Sequence, residues 1–66
     1  MEIREPSYEL GSFVYHIISG EKGIIVDACY YLSYNTWWYL VKTGFNEYNV
    51  CEDDLTDDPS LFLNLN

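Results

Sequence analysis

The chain has 66 residues, the length of one domain, and a chain of that size buries only about 60% of the surface it exposes when unfolded. Its apolar content of 48% and aromatic content of 18% are far above those of a disordered acidic chain, so its formal charge of −8 sits on a globular body. Eleven acids against three bases argue against direct DNA or RNA binding, which rests on Lys and Arg neutralising phosphates, and favour a protein partner with a basic surface.

In chain order, residues 1–9 mix charges with Pro6 and show no period, which reads as an extended arm ahead of a folded body over 10–66. Phe13-Val14-Tyr15-His16-Ile17-Ile18 is a β-branched and aromatic run of strand length. Ser19-Gly20-Glu21-Lys22-Gly23 supplies a turn, with glycines where positive φ or close backbone approach is needed. A second strand is expected over 24–31. Asp27 facing water would put Ile25 and Cys29 on its side and turn Ile24, Val26, Ala28 and Tyr30 inward, unless a bulge shifts the register.

Leu32-Ser33-Tyr34-Asn35 reads as a loop. Residues 36–42 form a third strand with Trp37, Tyr39 and Val41 on one face and Trp38, Leu40 and Lys42 on the other, the wetter one. Thr43-Gly44-Phe45-Asn46 is a hairpin turn, and Glu47-Tyr48-Asn49-Val50-Cys51 alternates so that Tyr48 and Val50 meet the core. The acidic segment 52–59 holds one apolar residue, Leu55, and suits a short 3-10 turn pinned by that anchor. Leu61, Leu63 and Leu65 have strand spacing, so a fifth strand is expected there, with a helical turn as the alternative.

Together these elements give an all-β chain. The order Gly11-x-x-Val14, Ile17 to Ile25, Tyr39-Leu40-Val41-Lys42 and then the acidic turn with Leu55 resembles a small five-stranded SH3-like barrel of the Tudor and KOW kind. The pattern also resembles small uncharacterised phage-encoded accessory proteins. KOW domains that bind nucleic acid carry basic residues around the turn, where this chain has only Lys22. Tudor domains use an aromatic cage, for which Tyr30, Tyr31, Tyr34, Trp37 and Trp38 are candidates that cannot be matched position by position.

Chemistry-bearing motifs are sparse. His16 is the lone histidine, and general-base work would require a nucleophile such as Ser19 or Cys29 within reach; a strand histidine is the simpler reading. Cys29 and Cys51 are too far apart for a redox or zinc half-site and read as free thiols. The run 52–58 lacks the layout of an EF-hand loop, and Gly20-Glu21-Lys22-Gly23 lacks the Gly-Lys-Ser/Thr and helix of a phosphate loop. No catalytic residue, metal or cofactor is therefore expected. With no leader pattern and no apolar run of about 18 residues, no membrane segment is expected either, and the cytoplasm is the default compartment.

Two surfaces remain. Tyr30, Tyr31, Tyr34, Trp37, Trp38 and Tyr39 crowd one loop, and strand alternation admits only about half of them to a single core. Tyr31, Tyr34 and Trp38 are thus candidate contact residues of a non-enzymatic protein-binding module, for a partner or for a second copy in a homodimer. Asp53, Asp54, Asp57 and Asp58 would steer a basic partner. Alternatively, these acids imitate a row of phosphates and make the chain an inhibitor that occupies a nucleic-acid-binding cleft.

Overall fold

The computed structural model describes residues 4–60. It contains β1 (Phe13–His16), β2 (Lys22–Tyr31), β3 (Thr36–Lys42), β4 (Glu47–Cys51), a 3-10 turn (Glu52–Asp54) and β5 (Leu55–Thr56). All pairings are antiparallel and the sheet order is β4-β3-β2-β1-β5. The expected segment 61–65 lies outside the described residues. Among the described residues the fifth strand of the sheet is Leu55–Thr56, which pairs through Leu55 with His16 and through Thr56 with Tyr15.

The sheet is not a closed barrel, since β4 and β5 are its two outer strands and do not pair with each other. The three-residue 3-10 turn runs directly from Cys51 into Leu55, so the chain passes from one outer strand to the other with no ladder between them. Among the described residues no helix is long and apolar enough to cross a membrane.

Period-2 alternation on β3 and β4 puts Tyr39, Val41 and Val50 into one core, completed by Val14, Ile25 and Leu55. Tyr8, Ala28, Trp37 and Tyr48 pack around it. Leu55 is the buried anchor of the acidic segment, as its isolation among acids suggests, and it is only 4% exposed. Fully burying one such side chain is worth about 1.5–3 kcal/mol, a large share of the stability of so small a domain.

Two expectations for the first hairpin change. β1 stops at His16, because Gly20 N–H donates to His16 C=O (2.7 Å) and His16 N–H to Glu21 C=O (2.9 Å), which takes Ile17 and Ile18 into the turn. On β2 the register shifts between Ile25 and Asp27, and this bulge inverts the expected facing of the strand's first half. Ile25 is buried and Val26 exposed, while Ala28 beyond the bulge packs on the core as expected. Of the two glycines expected in the turn, Gly20 is there and takes φ +77°, whereas β2 begins at Lys22 and so includes Gly23, which faces Val41 so closely that an added Cβ would lie 2.5 Å from its Cγ1.

Residues 4–10 form no strand. The chain meets β2 just past them, where Gly11 N–H donates to Ile25 C=O (2.7 Å) and Ile25 N–H to Ser12 C=O (2.9 Å). Ahead of that corner the arm crosses the core side, with Tyr8 set edge-on to Tyr39 at 5.4 Å.

Candidate functional site

The side of the sheet away from the core is built around Trp38. Strand register places Cys29, Trp38 and Cys51 in one row across β2, β3 and β4, with Asp27, Leu40 and Asn49 in the row beside it. Tyr31 packs against Trp38 at 5.9 Å between ring centroids. Two shallow grooves flank the indole. One, of about 120 Å³, is lined by Asp27, Ala28, Cys29, Trp38, Leu40 and Asn49. The other, of about 290 Å³, is lined by Tyr34, Thr36, Trp38 and Cys51. Thr36 Oγ1 donates to Tyr34 C=O (2.8 Å), which ties the loop carrying Tyr34 to the start of β3.

Of the sequence candidates, Tyr31, Tyr34 and Trp38 therefore come together, Tyr34 being 74% exposed. Tyr30 and Trp37 belong to the opposite side, where they pack edge-to-face at 5.3 Å. The Trp37 indole N–H donates to Arg4 C=O (2.8 Å), which ties this side of the sheet to the arm. Cys29, Leu40, Asn49 and Cys51 also line the grooves. Only pairing register reveals them, because they come from three strands. Cys29 and Cys51 are free thiols two strand spacings apart, about 9.6 Å, beyond the Cα separation a disulfide tolerates.

The acids form a separate surface. Asp53 and Asp54 on the 3-10 turn and Asp57 and Asp58 after β5 are all exposed, and none lines either groove. Asp58 accepts from Ser60 N–H (3.0 Å), and hydrogen bonds from the Ser60 side chain and backbone hold its carboxyl below the usual range. Glu52 leaves this row. Its side chain, 8% exposed, turns toward the arm and forms an ion pair with Arg4 at 2.5 Å. Burial pushes the Glu52 carboxyl up, but hydrogen bonds from Arg4, Ser7 and the Trp37 backbone N–H, with the Arg4 charge, bring it below its ordinary value. Glu21 likewise has a local partner, the Tyr48 hydroxyl, which donates to it at 2.7 Å.

His16 sits ring-to-ring with Tyr48 at 6.3 Å, and its Nδ1 faces the Ser19 backbone N–H (3.4 Å) while the Ser19 hydroxyl accepts from Glu21 N–H (3.2 Å). The Ser19 hydroxyl is thus turned to the backbone and not to the imidazole. Among the described residues no group of three His, Cys, Asp or Glu side chains is arranged to hold a metal ion. No protein-family model, curated protein or solved structure matches the chain.

Proposed function

We propose that this chain is a non-enzymatic protein-binding module that docks a partner on the outer sheet face around Trp38, with its acids steering a partner of basic surroundings. One observation carries the reading: a half-buried tryptophan stands between two open grooves, backed by Tyr31 and flanked by Tyr34. Rigid aromatic side chains on a strand lose little entropy on binding and supply large contact area, which is why they dominate interface energetics. Asp53, Asp54, Asp57 and Asp58 lie off this face and act at a distance, through the field of a chain carrying −8. The strand order, with a 3-10 turn ahead of β5, supports an SH3-like relationship of the Tudor and KOW kind. A small accessory protein of the phage-encoded type, working in the cytoplasm with its two thiols reduced, is consistent with this reading.

The test is capture from a lysate on immobilised wild-type, Trp38→Ala and Asp53/Asp54/Asp57/Asp58→Asn chains, each checked for folding by circular dichroism. Trp38→Ala is expected to lose the captured protein at least tenfold, and retention at wild-type level would defeat the docking face. A second reading, mimicry of nucleic acid, is favoured by the exposure of those four aspartates, none of which forms an ion pair among the described residues. It requires the opposite pattern: collapse of binding in the fourfold Asn variant and in 0.5 M salt, with Trp38→Ala intact.

A further inference from the structure

The structure also shows how this acidic protein holds a basic residue. Arg4, Ser7 and Tyr8 of the arm lie against the core side of the sheet, and the groove reads them through fixed groups. The Trp37 indole N–H meets Arg4 C=O at 2.8 Å, and the Tyr39 hydroxyl accepts from Ser7 N–H at 2.9 Å and from Tyr8 N–H at 3.4 Å. Glu52 accepts from the Arg4 guanidinium and from the Ser7 hydroxyl at 3.0 Å, and Asn35 C=O takes a second guanidinium bond at 3.0 Å. The Tyr8 hydroxyl donates to Leu55 C=O at 3.0 Å.

Two properties of this arrangement are unequal. The groove is built on the sheet: Tyr39 is fully buried in the core, and the Glu52 side chain is 8% exposed. The arm is light: Arg4, Glu5, Pro6, Ser7 and Glu9 are exposed, only Tyr8 reaches the core, and the Arg4 side chain stays 51% exposed. A half-solvated ion pair contributes little holding power. The bonds that fasten the arm to the groove join residues 31 to 48 positions apart, so their geometry does not depend on the arm belonging to the same chain.

We infer that the groove lined by Asn35, Trp37, Tyr39, Glu52 and Leu55 is a recognition site for an arginine-bearing segment of a partner protein, bent as the arm is at Ser7 and Tyr8, and that the arm fills it as an internal competitor. Charge selects the occupant. A chain of formal charge −8 attracts a cationic segment, and the groove places one nearly buried carboxylate where a guanidinium makes charge-assisted bonds. Tyr39 and Trp37 read the backbone of the segment: two consecutive N–H groups, those of Ser7 and Tyr8, turn to the one Tyr39 hydroxyl, so a bend three residues past the arginine is required and little side-chain sequence beyond the arginine is specified. This site is separate from the Trp38 face and stands or falls independently of it.

The experiment uses the full-length chain and a capped hexapeptide with the sequence of residues 4–9 as probe. Binding is read from the indole N–H resonance of Trp37, with that of Trp38 as the internal control. The Arg4→Ala chain, its own arm weakened, is expected to bind the peptide about threefold more tightly than the wild-type chain does. A peptide with alanine in place of its arginine should bind about threefold more weakly, and adding Glu52→Gln to the Arg4→Ala chain should erase that preference. Should Arg4→Ala fail to fold, Ser7→Ala loosens the arm while keeping the Arg4 clasp and is held to the same expectation. Absence of saturable binding to a folded variant at millimolar peptide, or equal binding of the arginine and alanine peptides, overturns the site. An arm exchanged between two copies, seen as intermolecular contacts to Trp37 in a mixed-isotope sample of the wild-type chain, makes the occupant a second copy and overturns the assignment to a partner protein.

Discussion

Glu52 and its neighbours Asp53 and Asp54 share one 3-10 turn, yet their side chains have opposite fates, because Glu52 follows directly on β4 and turns back toward Arg4 and Ser7. Its acidity is set by competition. Burial favours the neutral acid, and the bonds from Arg4, Ser7 and the Trp37 backbone favour the carboxylate and prevail. A carboxyl whose folded pKa is depressed adds stability that is fully present above its unfolded value, about 4.3, and is lost as pH falls through the folded value. Glu52→Gln should therefore cost about 1 kcal/mol at pH 7, the scale of a hydrogen bond with a charged partner discounted for the solvated guanidinium. At pH 3 the cost should shrink toward zero. Urea midpoints of the two proteins at both pH values check this, and a cost that does not change with pH would assign the effect to packing alone.

At the scale of the strand, β2 carries the strain of packing. Gly23 lies on the core side opposite Val14, where a Cβ would meet Val41 Cγ1 at 2.5 Å and Lys42 O at 3.0 Å. Gly23→Ala should cost about 1–3 kcal/mol, as overpacking does in a filled core. Gly44, in the β3–β4 turn, has nothing within 4 Å of an added Cβ, so Gly44→Ala should stay within about 0.5 kcal/mol of wild type. Thermal melts of the pair read the difference directly. β2 also shows where residue patterns stop being informative. On β3 and β4, unbroken alternation identifies Tyr39, Val41 and Val50 as core and Trp38 as outward, because nothing disturbs the period. On β2 one extra residue at the bulge exchanges the faces of Ile25 and Val26, and no residue type there announces it. The arm is less legible still. Its partners Asn35, Trp37, Tyr39, Glu52 and Leu55 are 31 to 48 residues away and are brought to it only by the completed sheet. Tyr31 and Trp38 can be paired from alternation and loop length, whereas Cys51 joins them only through the register of β4.

Across the whole molecule, the balance of charge opposes folding more than it assists it. Among the described residues the single ion pair is Arg4–Glu52, while Lys22 lies over the Phe13 ring at 4.6 Å, a contact that leaves its charge without a carboxylate at salt-bridge distance. Exposed Asp53, Asp54, Asp57 and Asp58 repel one another within one short stretch of chain. Salt acts on both effects in opposite directions. It weakens the half-exposed Arg4–Glu52 pair, and it screens the self-repulsion of a compact body carrying −8. Because the Debye length falls from about 10 Å at 0.1 M to about 3 Å at 1 M, repulsion among many separated carboxylates is reduced more than attraction within one close pair. The Tm should therefore rise by several degrees between 0.05 and 0.5 M sodium chloride, since about 1 kcal/mol moves the Tm of a domain this small by roughly 4–8 °C. Replacing Asp53, Asp54, Asp57 and Asp58 by Asn halves the formal charge of −8 and should flatten that dependence while raising the low-salt Tm. A wild-type Tm that falls with salt would mean that the Arg4 clasp outweighs the repulsion. The arm would then be held mainly by charge, and salt would become the means of releasing it.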